Sequence, residues 1–205
     1  MDEITTEAEL RALLGHPIPR VASKARPVLD DIHRQWLAAS PFCLVATSGT
    51  DGTCDVSPKG DPPGFALVLD DRTLALPERA GNRRADGFAN ILANPHVGLI
   101  FLLPGRGDTL RINGRARVVR DPALLDRMAT KGHRPVLATV VDVEQVYFHC
   151  AKAFLRSGLW DPATWRPEAV APRPVIAKQE WPEESLADLE RYYGAQYTAG
   201  LYPQA

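Results

Sequence analysis

"VGLIFLLPGRGDTLRINGRARVVRD", residues 97–121, places two patterns side by side. The first seven residues are almost wholly apolar and rich in β-formers, as a central strand covered on both faces would be. After the glycine-rich turn, Leu110 and Ile112 alternate with Arg111 and Asn113. That period puts one face inward and the other toward solvent or a site. Two strands joined by a tight turn predict an antiparallel hairpin, and Arg106-Gly107-Asp108 is read as its turn. Val97, Leu99 and Phe101 lie on one side of the first strand, Ile100 and Leu102 on the other. A small barrel buries one of these faces, so helices or a second copy must cover the other.

The flanking segments continue the theme. "PFCLVATSG" (41–49) reads as a buried strand, and "TCDVSPKGDPPG" (53–64) as a strand running into a Pro/Gly-rich loop. "FALVLDDRTLALPE" (65–78) is two strands around an Asp-Asp-Arg turn. "PVLATVVDVEQVYFHC" (135–150) is one long strand, or two joined by a bend. Helices are expected over residues 5–14, capped by Thr5 or Thr6 with Glu9 as the reciprocal partner. Another follows the connector "HPIPRVASKARP", with Val28, Ile32 and Trp36 on one face and Leu29 and Leu37 close by. A third runs from Asn82 to Asn94, where Asn94-Pro95 stops it. A short one has Asp121 as N-cap and Pro122 at its first position. The last spans about Glu183 to Tyr197. Six or more hairpin-connected strands with helices inserted give a mainly β fold. It is a closed or partly closed antiparallel barrel rather than a doubly wound sheet. The chain divides into an N-terminal helix and arm (1–25), the barrel (26–165), and a C-terminal arm and helix (166–205). Trp181, Tyr192, Tyr193 and Tyr197 in that arm are candidates to wrap a partner or to pack on the barrel.

Composition narrows the function. With 205 residues and a formal net charge of -1, the chain has no bulk attraction for nucleic acid or anionic membranes. No apolar run approaches the roughly 18 residues of a membrane span. The opening "MDEITTEAEL" is acidic and polar, unlike a secretory leader. Cys43, Cys54 and Cys150 form no C-x-x-C pair and are read as reduced, mostly buried thiols of a cytoplasmic protein. The five histidines are scattered without ligand spacing, so no metal is expected. Neither G-x-S-x-G nor a P-loop occurs.

What remains is a distributed set of cations. In "PERAGNRRADGFANILANP" (77–95), Arg79, Arg83 and Arg84 crowd the mouth of a helix. The end of a helix that already carries partial positive charge is a poor place for them unless an anion sits nearby. Lys59 follows Ser57-Pro58 at a strand end, Arg111 sits on the polar face of its strand, and Lys152 and Arg156 precede Trp160. Each alone suits a solvated surface. A strand end, the next hairpin and the following helix start can also meet at one barrel edge, where such cations would hold a phosphate.

The order of "DVSPKG", "LALPE", "NRRADGFANILANPHVGLIF" and "DTLRINGRARVV" resembles the flavin-binding split-barrel family related to pyridoxamine 5′-phosphate oxidase. "HCAKAFLRSGLWDP" resembles a branch with a longer C-terminal arm, and the likeness covers roughly residues 25–165. It implies a six-stranded split barrel and a homodimer with FMN at the subunit interface. Lys59, Arg83 and Arg84 match the positions that hold the flavin phosphate. Leu76, Pro77 and Glu78 match the stretch that lines the flavin, with Asn82 and Arg79 beside it; Arg79 adds a contact or points to solvent. Backbone groups of Val56, Ser57 and Pro58 would face the polar edge of the ring system. Thr109, Arg111, Lys152 and Trp160 match positions supplied by the partner subunit. The resemblance thus implies an FMN-dependent oxidoreductase transferring hydride to or from a small substrate, with no catalytic residue singled out. A non-catalytic flavin-binding or storage protein, and a split barrel using deazaflavin or haem, stay open. Two departures argue against pyridoxamine phosphate as substrate. Thr109 stands where the oxidase has glutamine, and Arg166 has no nearby histidine after Trp160.

Overall fold

A computed structural model describes residues 1–79 and 81–202, without the side chains of Gln196 and Ala199. Seven antiparallel strands form one sheet: β1 (Phe42–Ser48), β2 (Cys54–Gly60), β3 (Leu67–Val68), β4 (Thr73–Glu78), β5 (His96–Leu102), β6 (Thr109–Val119) and β7 (Leu137–His149). Their order is β2-β1-β5-β6-β7-β4-β3. The strand beyond the expected six is the two-residue β3, half of the hairpin around Asp70-Asp71-Arg72. The 97–121 hairpin is β5–β6, at the middle of the sheet. Leu99, Phe101, Leu110 and Ile112 are almost wholly buried in the main core, while Ile100 and Leu102 on the other face are half-buried.

The last strand is continuous, with a register shift against β6 between Asn113 and Gly114. A Cβ at Gly114 would lie 2.1 Å from the carbonyl oxygen of Asp142, so the residue there must be glycine. The irregularity adds local twist and helps curl the sheet. The curl brings together strands that do not pair. Four strands separate β2 from β4 in the sheet order, yet Lys59 Nζ lies 2.5 Å from Glu78 Oε2. Just beyond the same strand ends, Arg79 Nε lies 2.7 Å from Asp61 Oδ2. The barrel is therefore closed on this side by side chains and not by a ladder.

Helix α1 (Glu7–Leu14) starts at Thr6 with the full Thr6–Glu9 capping box, and α2 (Pro19–Ala22) is one turn inside the connector. Helix α3 (Asp31–Ala39) is capped by Asp30. It turns His33, Trp36 and Leu37 inward, and leaves Ile32 56% exposed, contrary to the face expected from the sequence. Leu29 reaches the core from the segment before the helix, so the inward stripe is offset by one position.

Helix α4 (Asp86–Ala93) begins four residues later than the sequence pattern predicts. Arg83 (φ 62°) and Ala85 (φ 59°) are both left-handed, which breaks helical geometry before Asp86. Helix α5 (Pro122–Arg127) has the expected Asp121 cap, and α6 (Lys152–Ser157) follows β7. The single C-terminal helix expected is two, α8 (Leu186–Tyr192) and α9 (Ala195–Ala199). A further helix, α7 (Arg173–Glu180), lies in the preceding proline-rich stretch. Tyr192, Tyr193 and Tyr197 pack on one another, with ring centroids 4.9–5.8 Å apart. Of the cysteines only Cys43 is buried; Cys54 and Cys150 are exposed, which corrects the expectation of mostly buried thiols. Among the described residues no helix is long and apolar enough to cross a membrane.

Candidate functional site

At the side-chain-closed edge lies a cavity of about 360 Å³. Its walls are β2, the end of β4, the loop before α4 and the first turns of α4. Strand β2 pairs only with β1, so half of its backbone N–H and C=O groups lack a sheet partner. Pro58, which has no N–H, is tolerated on such an edge. Asp55, Ser57 and Lys59 are half-buried, whereas Val56 and Pro58 are exposed.

Val56, Ser57, Pro58, Lys59, Leu76, Pro77, Glu78, Asn82 and Arg84, all singled out from the sequence, line this one cavity. A second cavity of about 290 Å³ shares the Ser57–Lys59 and Pro77–Glu78 walls.

The cations at this edge differ in what holds them. Lys59 pairs with Glu78 and also lies 5.2 Å from the centroid of the Phe88 ring. Both members of that pair are largely buried, at 21% and 23% exposure. Behind Lys59 in the β1–β2 register is Cys43, whose thiol burial pushes up to about 12, the Lys59 charge acting against it. That thiol stays protonated and is no nucleophile. Arg84 Nε makes an exposed pair with Asp86 at 2.7 Å, and its backbone N–H donates to Asn82 Oδ1 at 3.1 Å. Arg83 is exposed and has no ion pair among the described residues. The left-handed N-cap Ala85 offers no side-chain cap, and the backbone N–H groups of Asp86 and Gly87 have no acceptor among the described residues. Both residues border the cavity.

Arg79 is different: at 17% exposure it does not point to solvent, and it borders the second cavity. Its guanidinium holds Asp61, whose side chain is 1% exposed, together with the carbonyls of Met128 and His133 and the hydroxyl of Thr130. Tyr202, from the C-terminal arm, donates its hydroxyl to the other Asp61 oxygen. Arg79 is a structural clamp.

Arg83 is not on the cavity wall, and four further candidates also stay outside it within one chain. Thr109 is buried on β6, and Arg111 lies across from Tyr147 in the β6–β7 register. Lys152 opens α6. Trp160 stacks on Phe154 and donates its indole N–H to the Arg106 carbonyl at 2.7 Å.

The structure adds Thr47, Asp55, Phe88, Ile91 and Thr139 to the cavity wall. Thr47 is 5% exposed and accepts from Asn90 Nδ2 at 3.1 Å. A polar residue at an inward strand position was the available signal for it. Gly87, Phe88 and Ile91 share one face of α4 by helical spacing, the signal for that wall.

A flavin-sized ligand with a phosphate fits these residues. Leu76, Pro77, Phe88 and Ile91 supply apolar wall, and the unpaired β2 edge supplies hydrogen-bonding groups. The orphan N–H groups of α4 with Arg84 and Lys59 supply cationic and hydrogen-bonding groups for an anion, with the exposed Arg83 next in the chain to Arg84.

A barrel split along β2 and β4, with a cation-edged cavity in the split, is the architecture of a flavin-binding split barrel. Residues 29–150 match the family described as pyridoxamine 5′-phosphate oxidase, and the chain belongs to that family. Among solved structures it is similar to HupZ of Group A Streptococcus, at 18% identity and TM-score 0.47, over 58% of this chain and 91% of that one. It is also similar to general stress protein 26 of Bacillus anthracis, at 14% identity and TM-score 0.43, over 56% and 88% of the two chains. An F420 reductase matches at 20% identity and TM-score 0.41, over 59% and 98%. No curated protein matches the chain.

Proposed function

We propose that this protein binds FMN in the split-edge cavity and is an FMN-dependent oxidoreductase acting on a small substrate. One observation carries the reading. Lys59, Asn82, Arg84, Ala85 and the uncapped first turn of α4 line one cavity together with the apolar side chains of Leu76, Pro77, Phe88 and Ile91.

Arg83, Arg84 and the N–H groups of Asp86 and Gly87 hold the phosphate. Asp86 restrains Arg84 in the free protein; an exposed pair of this kind is worth about 1 kcal/mol or less, so a dianion displaces it readily. Glu78 keeps Lys59 in place across the split until the anion competes for it. Leu76, Pro77 and Phe88 exclude water from the ring system, and the β2 edge from Val56 to Pro58 meets its polar rim. The bound flavin would supply hydride transfer. That chemistry needs alignment more than a general base, and the protonated Cys43 thiol offers none.

A homodimer completes the reading. Leu44 of β1, Ile100 of β5 and Arg111 of β6 lie in register across the sheet, and Leu44 and Ile100 present half-buried apolar groups on the face away from the core. A second copy packed there would bring Thr109, Arg111, Lys152 and Trp160 toward the other copy's cavity.

The test is an absorption spectrum of the purified protein, followed by FMN titration of the wild type and of the Arg83→Ala, Arg84→Ala double variant, with size-exclusion chromatography for the dimer. Saturable FMN binding lost in the variant supports the assignment. A protein that ignores FMN, or that carries a deazaflavin or haem spectrum, overturns it. FMN binding with no turnover of any electron donor leaves a flavin carrier.

A further inference from the structure

A second group of cations gathers around Tyr147, at the opposite end of β7 from the cavity. Lys24 Nζ lies 5.0 Å from the centroid of the Tyr147 ring, and the Arg111 guanidinium carbon lies 5.3 Å from it. Lys24 also donates to the carbonyl of Phe148 at 2.9 Å, which fixes its ammonium beside β7. Arg111 and Tyr147 are direct partners across the β6–β7 ladder, and His149 is opposite Thr109 one step further along the same face. Thr139, the β7 residue that borders the flavin cavity, is eight residues from Tyr147, roughly 26 Å along an extended strand.

Three features describe this cluster. Nine of the chain's nineteen arginines are matched by a carboxylate among the described residues, and neither Lys24 nor Arg111 has such an ion pair. Arg111 Nε is buried and has no hydrogen-bond partner among them either. The basicity of His149 is lowered, first by burial and then by the charges of Lys24 and Arg111, with no carboxylate acting against them. Lys152 begins the helix three residues later and adds a further positive charge to the same end. Half-buried like charges repel, and a buried unpaired guanidinium N–H is costly. An anion seated among them removes both penalties.

We propose that Lys24, Arg111 and His149 form an anion-binding site around Tyr147, suited to the phosphate or carboxylate group of a small ligand. The Tyr147 ring holds the lysine and the arginine by cation–π contact, so the site is arranged before its ligand arrives. Lys24, Arg111 and His149 come together within one chain, so the site can be tested without flavin. In the dimer proposed above, on which this placement rests, the cluster would face the other copy's cavity.

The imidazole of His149 reports the site directly. In flavin-free protein, its ring proton resonances, assigned with His149→Gln, are followed while inorganic phosphate, or acetate in a parallel series, replaces chloride at constant ionic strength. The expected result is a saturable shift. Arg111→Gln and Lys24→Gln should each weaken binding by about tenfold. Arg111→Lys keeps the charge and should retain most of it. The Arg83→Ala, Arg84→Ala variant should leave the His149 response unchanged, because those residues serve the other site. A phosphate-only response identifies a phosphate ester as the ligand class, and an acetate response a carboxylate. No shift with either anion, a shift that survives both Arg111→Gln and Lys24→Gln, or one abolished only by the Arg83, Arg84 changes overturns the proposal. Failure of FMN binding in the separate titration would leave this outcome untouched.

Discussion

Arg79 and the Arg83–Arg84 pair stand a few residues apart in one run of sequence, and the fold treats them in opposite ways. Arg79 is 17% exposed and donates to a buried carboxylate, two carbonyls and a hydroxyl. Arg83 is exposed with no ion pair among the described residues, and Arg84 is 74% exposed beside Asp86. One arginine is used up inside the protein, and the others remain available. A cluster of positive charge in a sequence therefore does not by itself count the cations a ligand will meet. The number left over depends on which carboxylates the fold brings within reach.

The largest effect that would sharpen this contrast is at Arg79. Replacing it with alanine leaves the Asp61 carboxylate buried and unpaired, and should cost about 3–5 kcal/mol in urea unfolding. A cost below about 1 kcal/mol would show that Arg79 is no clamp. Next comes the Arg83→Ala, Arg84→Ala double variant. Stability should change by less than about 1 kcal/mol, as befits exposed side chains, while FMN affinity falls at least about a hundredfold. Equal losses of stability and affinity would erase the distinction between the two regions.

Lys59 falls between the extremes, since it is both paired and in the cavity. Lys59→Met should weaken FMN binding by about tenfold and leave Glu78 unpaired; Glu78→Gln should free Lys59 and tighten binding. Flavin titration of both variants separates a phosphate ligand from a lysine that only closes the barrel. Ala85→Gly tests the loop itself. At φ 59° alanine is strained, so glycine should add about 0.5 kcal/mol to stability, the relief exceeding the extra freedom of the unfolded chain.

The smallest effect concerns pH and lies away from both arginine groups. His33 is 4% exposed, and burial lowers its pKa below 6.5, with the Asp30 carboxylate opposing. The folded state thus favours neutral imidazole, whose Nδ1 accepts the Asp30 backbone N–H. Its contribution is present above pH 6.5 and is lost as pH falls through the lower folded value. His33→Gln should flatten the stability profile in that acid window, read by thermal unfolding at stepped pH.

Much of the fold was legible locally. The Thr6–Glu9 box, the Asp121-Pro122 start, the β5–β6 hairpin and the alternation of β6 each depend on residues close in the chain, and each is found where the sequence puts it. The cavity was legible where its wall is one continuous segment, as at 56–59 and 76–78. Its remaining residues were hidden for different reasons. Thr47 and Thr139 look like ordinary strand residues until the sheet curls. Phe88 and Ile91 read as core positions of a helix. The later start of α4 was concealed because "NRRAD" carries no breaker, and the left-handed geometry falls on arginine and alanine instead of glycine.

The sequence by itself determined the strands, their hairpin order, the caps at Thr6 and Asp121, and the resemblance that points to flavin. Those depend on side-chain period and short-range hydrogen bonding, both written along the chain. Only the tertiary structure decided that β2 and β4 meet through Lys59 and Glu78, that Asp61 consumes Arg79, and that Lys24 joins Arg111 and His149 without a carboxylate. Such outcomes depend on through-space neighbours tens of residues apart. The register and curl of the whole sheet, rather than any local propensity, bring them into contact.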